Sequence, residues 1–370
     1  MEHSRQITVI QVTSILISTI IGVGVLNLPL IAVKAAGTSA PFLTFIAVLI
    51  SFGGLYLVTK LGIRFPDQTI IGYSQVVLGK WIGRMYGILL ILFFTFLTAM
   101  ASREFGEVVV AAVLKNTPIE VTVIVMLLMA AVFTRDDLNT FAYIHNFYVP
   151  AIIVPGLLIV ILSFKNANLL YFQPIVQSLF TKDIDHLFIG MLTVVALFQG
   201  FFIMTILIPS MKKPKKAMKA AFFGLGISGA FYVMVVLATL SVFGVEEMKN
   251  LMWPTLELAR ATSLPGNLLQ RLDVVFLAIW VTAVFTTIFS SYMLTIHSLS
   301  QFFRLQGHKT FSFFLLPIVF LVAMIPRNVL QMYDVIKVVG RLGLIVTIGF
   351  PFIILFTAII RKIPGKKGGQ

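Results

Sequence analysis

Gly22-Val23-Gly24-Val25-Leu26-Asn27-Leu28-Pro29 interrupts an otherwise aliphatic stretch running from Thr8 to Val33. About 20 apolar residues cross a bilayer core as a helix, so the stretch is long enough to span a membrane. Two glycines, an amide and a proline near its middle do not suit an unbroken span. A break there frees N–H and C=O groups that an intact helix would consume, and within a bilayer such groups are tolerated only where they line a cavity or meet protein. Gly22 and Gly24 carry no side chain, so a carboxylate can approach their amides, favoured by the positive end of the half-helix that follows. A second reading stands beside this one: small residues also let neighbouring membrane helices pack closely.

The rest of the chain has the same character. Of 370 residues 59% are hydrophobic and 11% are charged, against roughly 25% charged in a soluble domain. Continuous apolar stretches follow at Pro41 to Leu61, Trp81 to Leu114, Ile119 to Phe133, Phe147 to Phe164, Leu187 to Ile208, Ala217 to Phe243, Leu272 to Ile296, Phe311 to Ile325 and Val335 to Ile360. With the first, they predict an all-α polytopic membrane protein of about ten transmembrane helices. The fourth and ninth stretches are short for a span. The sixth carries Gln199, Gly200 and Pro209 where the first carries its glycines and proline. Both pairs lie five spans apart, and an odd number of spans per repeat inverts the second half in the membrane. The expectation is a single transmembrane domain over residues 1–370, with one repeat over about 8–164 and a second over about 187–360.

Orientation follows from lysine and arginine in short loops. With the N-terminus inside, the inner face gathers Lys60, Arg64, Lys80 and Arg84, the run Lys212, Lys213, Lys215, Lys216 and Lys219, and the C-terminal Arg361, Lys362, Lys366 and Lys367. Outer loops hold fewer and mix them with Asp183, Asp185, Glu246, Glu247 and Glu257. The formal charge of +14 is therefore topological and does not mark a nucleic-acid surface. The outer loop after span seven predicts a short helix over Thr255 to Ala261, read either as an interfacial helix anchored by Trp253 or as an ordinary capped surface helix.

The glycine run resembles the first-helix break of the amino acid/polyamine/organocation superfamily, which has the LeuT-type fold: a 5+5 inverted repeat with helices one and six broken. Ile208-Pro209-Ser210-Met211-Lys212-Lys213-Pro214-Lys215-Lys216, Trp253-Pro254-Thr255, and Arg271-Leu272-Asp273 with Trp280 narrow the match. Together they resemble the B subunits of bacterial spore germinant receptors, the GerAB type, over essentially the whole chain. The resemblance implies a nutrient sensor in the inner membrane of a dormant spore, working with A and C subunits and binding an amino acid or another small germinant. One departure matters: where members often carry an acid two positions after the span-six glycine, this chain has Phe202.

In a LeuT-type site the two breaks face spans three and eight. The resulting ligand-binding set is Gly22, Gly24, Val25, Phe93, Leu97, Gln199, Gly200, Thr287 and Ser291, with Phe94, Thr286 and Ser290 as neighbours. The competing reading of the span-eight hydroxyls is that they bond back to their own helix. Arg103 and Glu107, with Glu104 between them, read as an i,i+4 pair near the outer interface, and Arg341 has only Asp334 as an acidic neighbour on its own helix. Asp136 and Asp137 are expected as caps of span five, and His145 and His297 as interfacial side chains.

An enzyme is not expected. There is no cysteine, the five histidines are scattered, and no phosphate-cradling loop or nucleophile elbow occurs. No metal or cofactor is implied, and no nucleic acid. A secondary amino acid transporter remains the alternative to a sensor, because one fold serves both.

Overall fold

Thr8 starts the first helix with a capping box: its hydroxyl accepts from the Gln11 amide, and the Gln11 side chain accepts from the Thr8 amide. From that cap the chain builds a helical bundle. The computed structural model describes residues 6–174, 184–262, 272–305 and 307–363. Span one is two half-helices, Val9–Ile20 and Gly24–Ala36. The chain turns at Gly37, where φ is 58°, a conformation that favours glycine, and enters span two, Ala40–Arg64. Span three is Lys80–Ala112, span four Ile119–Phe133 and span five Leu138–Ser163. Span six is a bent pair, Ile184–Ala196 and Gln199–Ser210, meeting at 42°. Spans seven and eight are Ala217–Asn250 and Leu272–Phe302. Span nine is Lys309–Ala323, and span ten runs from Val329 to Ile360 through a π-helical turn at Ile345–Gly349. This is an integral membrane protein, and its large exposed apolar side chains, among them Phe45, Leu92, Val125 and Phe356, face outward as a lipid-facing surface requires.

Spans four and nine have 15 residues each, about 22 Å of helix at ~1.5 Å per residue, against a bilayer core of about 30 Å. They pack on each other and on span three. Thr134 and Ser312 meet at 3.1 Å in that contact, and the Ser312 hydroxyl also donates to the Ala131 carbonyl. Just before span one, Ile7 pairs with Met211, and the Lys212 amide donates to the Ile7 carbonyl at 2.9 Å. The start of span one and the end of span six are thereby tied on one face of the bundle.

Three sequence expectations change. Span five begins nine residues before the apolar stretch that marked it. Asp137 is its cap, accepting from the Thr140 amide at 2.9 Å, a bond that holds the Asp137 carboxyl below its ordinary value. Asp136 is not a cap; its carbonyl lies 3.2 Å from the His308 ring. His145 consequently sits inside the helix and is fully buried instead of interfacial, because its ring meets the Ser18 hydroxyl of span one and the Ser290 hydroxyl of span eight. The third change concerns the outer helix, Pro254–Ala261. One face of it is packed into the bundle, Leu256, Leu258 and Ala259 being buried against spans one and eight while Arg260 is exposed, and Trp253 is no free anchor because its indole donates to Tyr333 at 2.7 Å. Arg103 and Glu107 do form the expected pair, at 2.8 Å.

Candidate ligand site at the paired helix breaks

The last carbonyls of a helix have no intrahelical donor, and in a bilayer they must find one elsewhere. At the end of the first half-helix of span one they find it in spans seven and eight. Tyr232 donates to the Ile20 carbonyl at 2.6 Å, Thr286 to Ser18 at 2.9 Å and Thr287 to Thr19 at 3.0 Å. Thr286 also bonds back to Ala283 at 2.8 Å, so both readings of the span-eight hydroxyls apply at once. Gly22 makes this possible: a Cβ there would collide with the Thr287 side chain. On the far side of the break, the half-helix beginning at Gly24 opens with amides that lack an acceptor within the helix; of these the Val25 amide donates back across the break to the Gly22 carbonyl at 3.4 Å. Further along, Thr255 of the outer helix donates to the Val25 carbonyl at 2.7 Å.

The break in span six lies against this one. Gly200 approaches Thr19 so closely that a Cβ would stand 3.1 Å from the Thr19 carbonyl oxygen. Gln199 is 1% exposed and ties span six to span ten by donating from Nε2 to the Gly340 carbonyl at 2.6 Å. Between the breaks and spans three, eight and ten lies a cavity of about 110 Å³. Of the residues expected from sequence, Gly24, Leu97, Gln199, Gly200, Thr287 and Ser291 line it. Gly22, Val25 and Phe93 are not among its lining residues. Gly22 is used against Thr287, the Val25 carbonyl is turned to Thr255, and Phe93 packs on Phe94 and against Gly343.

Lining residues with chemistry that the sequence reading did not assign to the site include Asn27, Glu104, Tyr333 and Lys337. Asn27 Oδ1 is buried with no hydrogen-bond partner. Glu104, 3% exposed, accepts from the Tyr333 hydroxyl at 3.1 Å, and that hydroxyl accepts from the Trp253 indole at 2.7 Å. Leu97, Ala101 and Glu104 stand at i, i+4 and i+7, which is one face of span three. That spacing was the available signal. Two positions after the span-six glycine, where this chain carries no acid, stands Phe202, whose ring packs on Phe94 at 5.5 Å. The carboxylate of this cavity comes from span three.

A wider cavity of about 610 Å³ adjoins the first and shares Asn27, Ile31, Thr193, Tyr333 and Lys337 with it. Behind the breaks His145 lies between spans one and eight, its Nδ1 2.5 Å from the Ser18 hydroxyl and its Nε2 3.3 Å from that of Ser290. Ser290 in turn meets Thr19 at 2.6 Å.

The sequence model of the family described as "Spore germination protein" matches residues 6–332. Spore germination protein YndE of Bacillus subtilis is 26% identical over 361 residues, covering 97% of this chain and 98% of that protein. Spore germination protein B2 of the same organism is 26% identical over 374 residues, covering 99% and 98%. GerLB of Bacillus cereus is 26% identical over 95% of this chain and 93% of its own length. Among solved structures, a complex of MhsT with L-phenylalanine superposes with a TM-score of 0.71 at 12% identity, over 94% of this chain and 88% of that one. A substrate-bound Na+-coupled sialic acid symporter also reaches 0.71 at 12% identity, over 96% and 81%. These likenesses place the chain in the LeuT-type fold.

Proposed function

This chain belongs to the spore germination protein family, and from that premise we propose that it is the nutrient-sensing subunit of a spore germinant receptor, binding a small amino acid in the cavity between its two helix breaks. The observation that carries the reading is the size and make-up of that cavity. An apolar cavity of about 150 Å³ holds a molecule the size of benzene, so about 110 Å³ suits a small amino acid better than a sugar or a nucleoside. Leu97, Phe94 and Met100 supply apolar wall. The amides at Gly24 supply a carboxylate seat at a helix N-terminus. The division into repeats over about 8–164 and 187–360 belongs to the same proposal.

In this reading the ligand touches both breaks and favours the arrangement in which they are held together. A ligand shifts such an equilibrium only by its differential affinity for the two arrangements. Gln199 on Gly340 and Thr255 on Val25 give the movement a route to span ten and to the outer helix. The partners that receive it are the A and C subunits of the receptor, in the inner membrane of the spore, with both termini of this chain in the cytoplasm.

The test is a thermal-shift panel of amino acids, D-glucose and inosine on the purified protein, paired with uptake of the stabilising compound into proteoliposomes. A ligand that binds only the folded protein raises its unfolding temperature. Stabilisation by an amino acid without uptake is expected. Uptake that accumulates the compound would instead establish the transporter. A second expectation concerns topology: reporter tags after Lys216 and after Gln370, the latter outside the described residues, report cytoplasm, and a tag beside Asn250 reports the outside. An external report at Lys216 overturns the orientation.

A further inference from the structure

Glu104 is the one acidic side chain lining the inner cavity among the described residues. A carboxylate in a bilayer interior pairs, reaches water or meets a ligand. Among the described residues no cation forms an ion pair with Glu104. Arg103, its chain neighbour, holds Glu107 at 2.8 Å, and Lys337, the other charged residue lining the cavity, holds Asp334 at 3.1 Å. What remains to Glu104 is one neutral hydrogen bond from Tyr333, and that hydroxyl is oriented by Trp253. Asn27 adds a second unanswered acceptor, since its Oδ1 is buried and without a partner while the residue lines the same cavity.

The cavity therefore presents a carboxylate with a single neutral donor and two amide oxygens, Asn27 Oδ1 and Gln199 Oε1, with none. An ammonium offers three donors and no acceptor, and carries the charge that a carboxylate attracts. We infer that Glu104 is the counter-charge for a primary ammonium on the ligand, so that the site selects molecules by their amine; this rests on the amino-acid reading above and deepens it. Tyr333 is a positioning residue here, holding the carboxylate toward the cavity from span ten.

The probes are L-alanine, L-valine and L-leucine, each beside its desamino acid (propionate, isovalerate and 4-methylpentanoate), with D-glucose and inosine as amine-free nutrients. Thermal-shift titrations of the wild-type protein are expected to show stabilisation by at least one amino acid and none by its desamino partner. Glu104→Gln, which keeps the shape and an acceptor for Tyr333, is expected to raise the amino-acid concentration needed by roughly ten- to a hundredfold, the range for a lost hydrogen bond to a charged group. Tyr333→Phe, with the carboxylate retained, is expected to keep the preference for the amine. Should Glu104→Gln unfold, the wild-type comparison of each acid with and without its amine still decides the matter. An amino acid that binds the variant as well as it binds wild type, or a desamino acid that binds wild type equally well, overturns the role of Glu104 and leaves the amino-acid site standing. Stabilisation by D-glucose or inosine alone, or by none of the amine-bearing probes, overturns both.

Discussion

Gly24→Leu is expected to abolish amino-acid-dependent thermal stabilisation of the protein, and with it the nutrient response of spores that depend on this subunit, while the protein remains folded in the membrane. A Cβ at Gly24 would stand 3.1 Å from the Tyr232 hydroxyl and 3.5 Å from the Leu197 Cβ, contacts that small shifts relieve. Gly24 lines the cavity of about 110 Å³, so the remaining carbons of leucine compete with a ligand for that space. They also cover the first-turn amides on which a ligand carboxylate would rest. The loss should be of binding itself and not of a few-fold in affinity, because volume is removed and not a single hydrogen bond. Phe356→Leu, on the exposed face of span ten, should leave the response where it was. A Gly24→Leu protein that is stabilised by the same amino acid at the same concentration places the ligand away from the first break.

His145→Ala is the second large effect, and it falls on stability. The ring fills the contact between spans one, five and eight, bridging Ser18 and Ser290 and lying parallel to Phe289 at 5.6 Å between ring centres. Truncation leaves a cavity and removes two hydrogen bonds, at a cost of about 2 to 4 kcal/mol. In detergent the unfolding temperature should drop by roughly 5 °C. The damage should spread to function, since Ser18 and Thr19 end the first half-helix beside the ligand cavity, and Thr19 shares Ser290 with the histidine. Unfolding within a degree of wild type would show that the ring is not a structural tie.

The Thr287 hydroxyl illustrates how the structure changes an expectation without displacing the residue. It lines the cavity, as a LeuT-type site implies, yet it is already bonded to the Thr19 carbonyl at 3.0 Å. Its first duty is to satisfy the broken end of span one. A substitution there acts on the break before it acts on any ligand.

What was legible in the sequence was what one helix can state about itself. Apolar length marked the spans, glycines marked the breaks in spans one and six, and 15-residue stretches marked the short spans four and nine. Gly24, Gln199 and Gly200 line the cavity for the reason they were noticed: each is a residue that an uninterrupted span would not carry. The tertiary structure alone decided the rest. The i,i+4 spacing separated the Arg103–Glu107 pair from Glu104, and only the packing of span three against span ten shows that Glu104 lines the cavity and meets Tyr333. His145, Thr255 and Trp253 looked like residues at the edge of the membrane because polar character in an apolar chain usually marks the edge. They are buried or nearly so because their partners, Ser18, the Val25 carbonyl and Tyr333, lie on helices far away in the chain. Helical periodicity states which residues share a face. Which foreign carbonyl or hydroxyl that face must satisfy is set by the register between helices, and in a bilayer that register is constrained by the cost of burying backbone polar groups without partners.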